Sequence, residues 1–154
     1  MRIISIDPGL SGAWAVIVDG RAESCGDMPV SGEGAGRRVA ASVLRGYVHN
    51  AVPELAVVER VGAMPKQGVA SMFRFGMAYG AALAVPAVLG IAVELVEPSA
   101  WKRHFKLIGK DKEASRQKAL DLCPDLAGLL RRKMDHGRAE AILIGMYAHA
   151  LWGA

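Results

Sequence analysis

The chain predicts an α/β protein built on a mixed five-stranded sheet with helices on both faces. Three observations carry that expectation. Two strand-like runs, Arg2 to Asp7 and Gly12 to Val18, precede the hairpin dipeptide Asp19-Gly20, and a third run follows it. Two further apolar runs, Leu55 to Val61 and Ala92 to Val96, each come after a helical segment. The last third of the chain then carries helical spacing only. A meander followed by βα crossovers gives antiparallel pairing at one side of a sheet and parallel pairing at the other.

Each element has its own local reason. Arg2 to Asp7 is β-type and ends on Pro8-Gly9, where a missing donor and a permissive glycine force a turn. Gly12 to Val18 is largely apolar, and Arg21 to Met28 returns after the turn. Pro29 to Gly36 is a loop by composition. Arg37 to Asn50 places Val39, Val43, Leu44, Tyr47 and Val48 at helical spacing. Leu55 to Val61 is nearly all apolar, as a strand buried on both faces requires, except for Glu59 and Arg60. Gly62 to Gly68 is a loop, and Val69 to about Val85 is a helix rich in Ala, Met and Gly. After Ala92 to Val96 come a short helix, Pro98 to Phe105, capped near Ser99, and an amphipathic helix, Asp111 to Leu122, stopped by Pro124. Asp125 to Arg132 forms a turn or two, and a final helix runs from Asp135 to about Leu151. This order is the ribonuclease H-like arrangement, expected here as one domain over residues 1–154.

Composition narrows the function classes. At 52% hydrophobic and 22% charged residues the chain reads as a compact domain with a real core. The longest apolar stretch, Val69 to Ile91, is interrupted by Arg74, glycines and Pro86, so no membrane span is expected. No basic segment followed by an apolar one opens the chain, and a cytoplasmic location is expected. Cys25 and Cys123 lack metal-ligand spacing and read as reduced, packed thiols. The net charge is +4. Between Lys102 and Arg138 there are 11 Lys/Arg against 5 Asp/Glu. Such a surplus is either a set of solvated helix faces or a surface for a polyanion, nucleic acid first.

The acids carry the chemistry. Asp7 ends the first strand on a backbone that cannot easily move. Glu59 ends an otherwise uncharged strand, where a carboxylate is costly unless it pairs, for instance with Arg60, or binds a metal. The third group is Lys133-Met134-Asp135-His136-Gly137-Arg138-Ala139-Glu140. His136 and Glu140 lie one helical turn apart and share a face. Asp135 lies about 140° from Glu140 if both are helical, so it reaches the same ion only from the helix start. Asp135 also suits an N-cap. Acids separated in sequence, at strand ends and a helix start, suit a hard divalent cation, Mg²⁺ or Mn²⁺. Two such ions can activate water and stabilise the leaving oxygen of a phosphodiester.

Four stretches in order, IISIDPGLSG, AVVERVGAMPKQG, WKRHFKLIGKDKEASRQKAL and DHGRAEAILIG, resemble the RuvC family of Holliday-junction resolvases, particularly its phage and prophage forms. The first stretch alone also suits actin-like ATPases, but those need two such domains and a second phosphate loop. The resemblance implies that Asp7, Glu59 and Glu140 are catalytic metal ligands. Family members carry Asp or His three residues before the last acid, and here that residue is Gly137. The fourth ligand then falls to Asp135, placed first as a hard oxygen donor, or to His136, for metal binding or proton transfer. The resemblance further implies two Mg²⁺ ions per site, with Mn²⁺ as a substitute. It implies a homodimer, a four-way DNA junction as partner, and nicks with 5′-phosphate and 3′-hydroxyl ends.

The same frame assigns DNA contacts. Lys66 and Gln67 lie on the loop after Glu59. Lys102, Arg103, Lys106, Lys110, Lys112, Arg116 and Lys118 form the phosphate-contact set, which gives affinity rather than sequence choice. Met64 is either a wedge at the junction centre or a lid on the core, and Trp101 is expected as a core anchor. The helix after residue 69, with Gly76, Gly80, Ala81 and Ala84, is either a dimer contact or ordinary packing against the sheet. Two alternatives stay open: a fork, flap or RNA-processing nuclease of the same fold, and an inactive DNA-binding homologue.

Overall fold

A computed structural model describes residues 1–153. Three antiparallel strands open the chain: β1 (Arg2–Asp7), β2 (Ala13–Val18) and β3 (Arg21–Asp27). A small hairpin follows, β4 (Val30–Ser31) with β5 (Arg38–Val39), and then helix α1 (Ala41–Ala51). β6 (Leu55–Glu59), α2 (Val69–Val88) and β7 (Ala92–Val96) make the crossovers. Helices α3 (Pro98–His104), α4 (Lys112–Leu122) and α5 (His136–Trp152) complete the chain, with 3₁₀ turns at Pro124–Leu129 and Lys133–Asp135. The large sheet has the order β3-β2-β1-β6-β7, antiparallel through β3, β2 and β1 and parallel through β1, β6 and β7. The expected mixed five-stranded sheet is therefore present.

Alternation along the strands divides the core. Ile4, Ile6, Ala56 and Val58 face one side with Leu44 and Val48 of α1 and Ala78, Ala82 and Val85 of α2. Ile3, Leu55 and Val57 face the other with Trp101 of α3, Ala119 of α4 and Ile142, Leu143 and Ile144 of α5. A period of two puts Ser5 and Asp7 on the face of Ile3, and Glu59 on the face of Leu55 and Val57. Both acids thus turn toward α5.

Helix α5 packs hard on this face because its contact residue is glycine. A Cβ at Gly145 would lie 2.5 Å from Ile17 Cγ1 and 2.6 Å from Ser5 Oγ. The Ser5 hydroxyl, fully buried, donates to the Ala141 carbonyl at 2.6 Å and fixes β1 against α5 beside Glu140. Gly145→Ala is expected to cost about 2 kcal/mol by overpacking, read as a lower urea midpoint. An unchanged midpoint would mean that the helix stands off the sheet.

Several boundaries differ from the sequence reading. The first helix begins at Ala41 rather than Arg37, because Arg38 and Val39 pair with Ser31 and Val30. The N-cap position of helix α3 is Glu97, which makes no side-chain cap bond, with Pro98 in the first turn, rather than Ser99. Helix α2 runs unbroken through Arg74, its glycines and Pro86 to Val88, and by length and mean hydropathy alone (1.2) it is long enough to cross a bilayer. The helix expected from Val69 to about Val85 is therefore present and ends three residues later, at Val88. Pro86 sits in the last turn, where its lost donor interrupts little. Ala78, Ala82, Val85 and Pro86 nonetheless form a buried stripe against the core.

Candidate active site

The registers Ser5↔Val57 and Ile6↔Val58 carry Asp7 and Glu59 level at the carboxyl ends of two adjacent parallel strands, about 4.8 Å apart. Glu140 enters from the first turns of α5. Beyond Asp7, Gly9 has φ +126°, and a Cβ there would lie 3.2 Å from the Phe75 ring. Only glycine fits both the backbone and the ring. Gly12 N–H closes the turn onto the Gly9 carbonyl at 3.1 Å.

The electrostatics set these acids apart from ordinary surface carboxylates. Burial pushes the Asp7 carboxyl well above its usual range, and the charges of Glu59 and Glu140 push it further, against Lys112 and Lys102. Burial also raises Glu59, partly opposed by a hydrogen bond from Trp101, with Glu140 adding repulsion. The pairing of Glu59 with Arg60 does not form, because Arg60 Nε contacts Glu97 Oε1 at 3.0 Å. The charges of Glu59 and Glu140 raise Asp7, and that of Glu140 raises Glu59, with no cation of the chain bonded to Asp7 or Glu59 among the described residues; such oxygen donors have the chemistry that suits a hard cation. Among the described residues no three His, Cys, Asp or Glu side chains stand close enough together, as placed, to hold a metal ion.

The structure does not bring Asp135 into this set. Asp135 is 2% exposed, and both its oxygens are taken by Arg132: the backbone N–H at 2.7 Å, Nε at 3.0 Å and Nη2 at 2.7 Å. Burial opposes its ionisation, yet these bonds and the nearby Arg138 hold its carboxyl below the ordinary range. Asp135 precedes α5 without capping it by its side chain; it caps backwards, onto Arg132. Gly137 stands close to the turn after Asp7: a Cβ there would lie 3.1 Å from the Ser11 carbonyl, a tight contact. His136, one turn before Glu140, has a buried Nδ1 with no hydrogen-bond partner.

Two grooves meet at the acids. One, of about 480 Å³, is lined by Asp7, Glu140, Lys112, Gln67, Ser71 and Arg74 among others. The second, of about 570 Å³, is lined by Glu59, Arg60, Glu97 and Lys102, and Met64 and Phe75 line both. Met64 is 68% exposed, so it is not a lid on the core. Arg74 and Phe75 were missed in the sequence. The signal for Arg74 was its being the sole charge in α2, which the sequence reading took only as an interruption. Nothing in the sequence marked Phe75.

No protein-family model matches the chain, and no curated protein sequence matches it. Solved structures do. Thermus thermophilus RuvC in complex with a Holliday junction substrate superposes with a TM-score of 0.68 at 20% identity, over 99% of this chain and 94% of that one. A second Thermus thermophilus RuvC structure gives 0.52 at 21% identity, over 99% and 97%. The yeast mitochondrial Holliday junction resolvase Ydc2 gives 0.57 at 12% identity, over 94% and 77%. The chain has the RuvC fold.

Within the RuvC fold the predicted DNA contacts divide. Lys112 lies on the groove with Asp7, and Lys102 on the groove with Glu59. Lys66, Arg103, Lys106 and Lys110 are exposed, and Gln67 reaches Ser71 at 3.4 Å. Arg116 is committed elsewhere: its guanidinium pairs with Glu113 and donates to the Leu130 carbonyl at 2.7 Å. It belongs to the α4 packing rather than to the phosphate-contact set. Lys118 lies six residues along α4 from Lys112, about 120° round the helix axis from it.

Proposed function

We propose that this protein is a divalent-cation-dependent endonuclease that resolves four-way DNA junctions. The observation that carries the reading is the convergence of Asp7, Glu59 and Glu140, from two adjacent parallel strands and α5, at grooves edged by lysines. The likeness to RuvC solved with a Holliday junction supports the choice of substrate. Asp7, Glu59 and Glu140 would hold Mg²⁺, two ions per site, or Mn²⁺ in its place. His136, with its free buried Nδ1, takes the fourth place in preference to Asp135. When bound, the metal supplies Lewis-acid stabilisation of the scissile phosphate and a lowered pKa for the attacking water. Lys112 and Lys102 offset the carboxylate charge and attract the DNA backbone, and Arg74 adds a fork for a phosphate. Attack by water on phosphorus with cleavage of the P–O3′ bond and protonation of the departing 3′ oxygen would leave 5′-phosphate and 3′-hydroxyl ends.

Helix α2 supports a homodimer. Phe73 (69% exposed), Met77 (49%) and Val88 (77%) form an apolar face together with Gly76, Gly80 and Ala84. Two sites related by a two-fold axis suit two opposed nicks. The thiols suit a reducing cytoplasm in a bacterial or phage-infected cell: burial pushes Cys25 up to about 11, so it is not a reactive nucleophile.

The test is a labelled immobile junction incubated with Mg²⁺, with Mn²⁺ and with EDTA, beside fork, flap, duplex and RNA-hybrid competitors. Paired, symmetric nicks dependent on metal are expected. Cleavage of forks or hybrids in preference to junctions would move the reading to the broader nuclease. Tight binding without any cleavage would move it to an inactive binder, which the glycine at position 137 favours.

A further inference from the structure

Trp101 is the largest fully buried side chain in the molecule, and its partner is unusual. The indole Nε1 donates to Glu59 Oε1 at 2.8 Å. A buried indole N–H ordinarily finds some acceptor. This fold does not demand one, however, since the buried Nε1 of Trp14 has no partner. Trp101 spends its donor on a carboxylate of the acidic group. The Lys102 ammonium lies 5.2 Å from the Trp101 ring centroid, and the same lysine lines the groove beside Glu59. The Arg60–Glu97 pair and the bond from Arg60 N–H to the Val96 carbonyl at 2.8 Å tie the end of β6 to the start of α3. Glu59 is therefore held from behind by a rigid, dry donor. Among the described residues its Oε2 has no side-chain or backbone donor.

We propose that Trp101 is a positioning residue for the metal site: its indole N–H fixes one oxygen of Glu59 and leaves the other for the cation. The inference rests on the metal-dependent nuclease reading. Outer-shell hydrogen bonds orient a ligand before the metal arrives, and their loss costs about 10–100-fold in metal affinity. Phenylalanine keeps most of the packing and removes the donor.

The experiment is Mn²⁺ binding to the metal-free protein, followed by electron paramagnetic resonance, for wild type, Trp101→Phe, Glu59→Gln and the double variant. Val48→Ala, in the opposite core layer, controls for lost stability measured by thermal unfolding. Trp101→Phe is expected to weaken Mn²⁺ binding about 10–100-fold, while Val48→Ala leaves it unchanged. In the Glu59→Gln background the Trp101 change is expected to cost nothing further. In cleavage, the Mg²⁺ concentration for half-maximal rate rises by a similar factor, and the rate at saturating Mg²⁺ recovers. Wild-type Mn²⁺ affinity in Trp101→Phe, with Glu59→Gln impaired, overturns the role of Trp101 alone. Mn²⁺ affinity unaffected by Glu59→Gln overturns the underlying metal reading as well.

Discussion

Asp7→Asn is expected to abolish cleavage and to make the metal-free protein more stable. The loss follows from the site. Asp7 neighbours Glu59 and Glu140 and lines the first groove, and its carboxylate has no hydrogen bond or ion pair among the described residues. Removing its charge weakens the hold on the proposed cations, whose electrostatic contribution to phosphoryl hydrolysis would be several kcal/mol. A loss of about 4 kcal/mol is about a thousandfold in rate. The gain in stability follows from the same facts. A carboxylate that is largely buried and faces two others costs free energy when ionised, and the neutral amide removes both the desolvation and the repulsion.

The pH dependence has a defined sign. The Asp7 and Glu59 carboxyls are raised in the native state, whereas in the unfolded chain they titrate near pH 4. Between that value and the raised native values the folded protein holds more protons than the unfolded one. Stability of the metal-free protein therefore falls as pH rises through this window. Asp7→Asn flattens the fall, and added Mn²⁺ opposes it in wild type by binding only the native state. Urea midpoints across pH, with EDTA and with Mn²⁺, give the comparison. A variant less stable than wild type at neutral pH, with an unchanged slope, would rule this account out.

The sheet was legible because its signals are local. Asp19-Gly20 fixes the hairpin, and the uncharged run ending in Glu59 fixes a buried parallel strand. The same period of two that made those strands readable also placed Asp7 and Glu59 on one face. Glu140 was legible as a charge at the head of an apolar helix. What stayed hidden depended on contacts between distant segments. The indole of Trp101 reaches back 42 residues to Glu59, and no spacing rule reports it. Arg116 looked like any other base in a basic stretch, and only the fold shows Glu113 and the Leu130 carbonyl around it. The missing acid at Gly137 reads as a gap in the sequence. In space it lies where a Cβ would come 3.1 Å from the Ser11 carbonyl, a tight contact made by a segment distant in the sequence.

Asp135→Ala is expected to lower stability by about 1.5–2 kcal/mol while leaving Mn²⁺ affinity unchanged. The carboxylate is nearly inaccessible and accepts three hydrogen bonds from Arg132. Truncation leaves the Arg132 backbone N–H unpaired and loosens the 3₁₀ turn that feeds α5. Hydrogen bonds to a charged acceptor are worth about 1.5–3 kcal/mol. The upper end is discounted because the Arg132 side chain is 55% exposed and water partly replaces the pair. Since the native Asp135 carboxyl is lowered, its contribution is present above the unfolded value near pH 4 and lost as pH falls. The variant should therefore lose least at acid pH. His136→Ala should behave in the opposite way. Its Nδ1 has no partner to lose, so stability changes little, while Mn²⁺ affinity and cleavage fall. Measuring both quantities on both variants separates a structural acid from a ligand. Weakened Mn²⁺ binding in Asp135→Ala, beyond what its stability loss explains, would require Asp135 to leave Arg132 and enter the site when the metal binds.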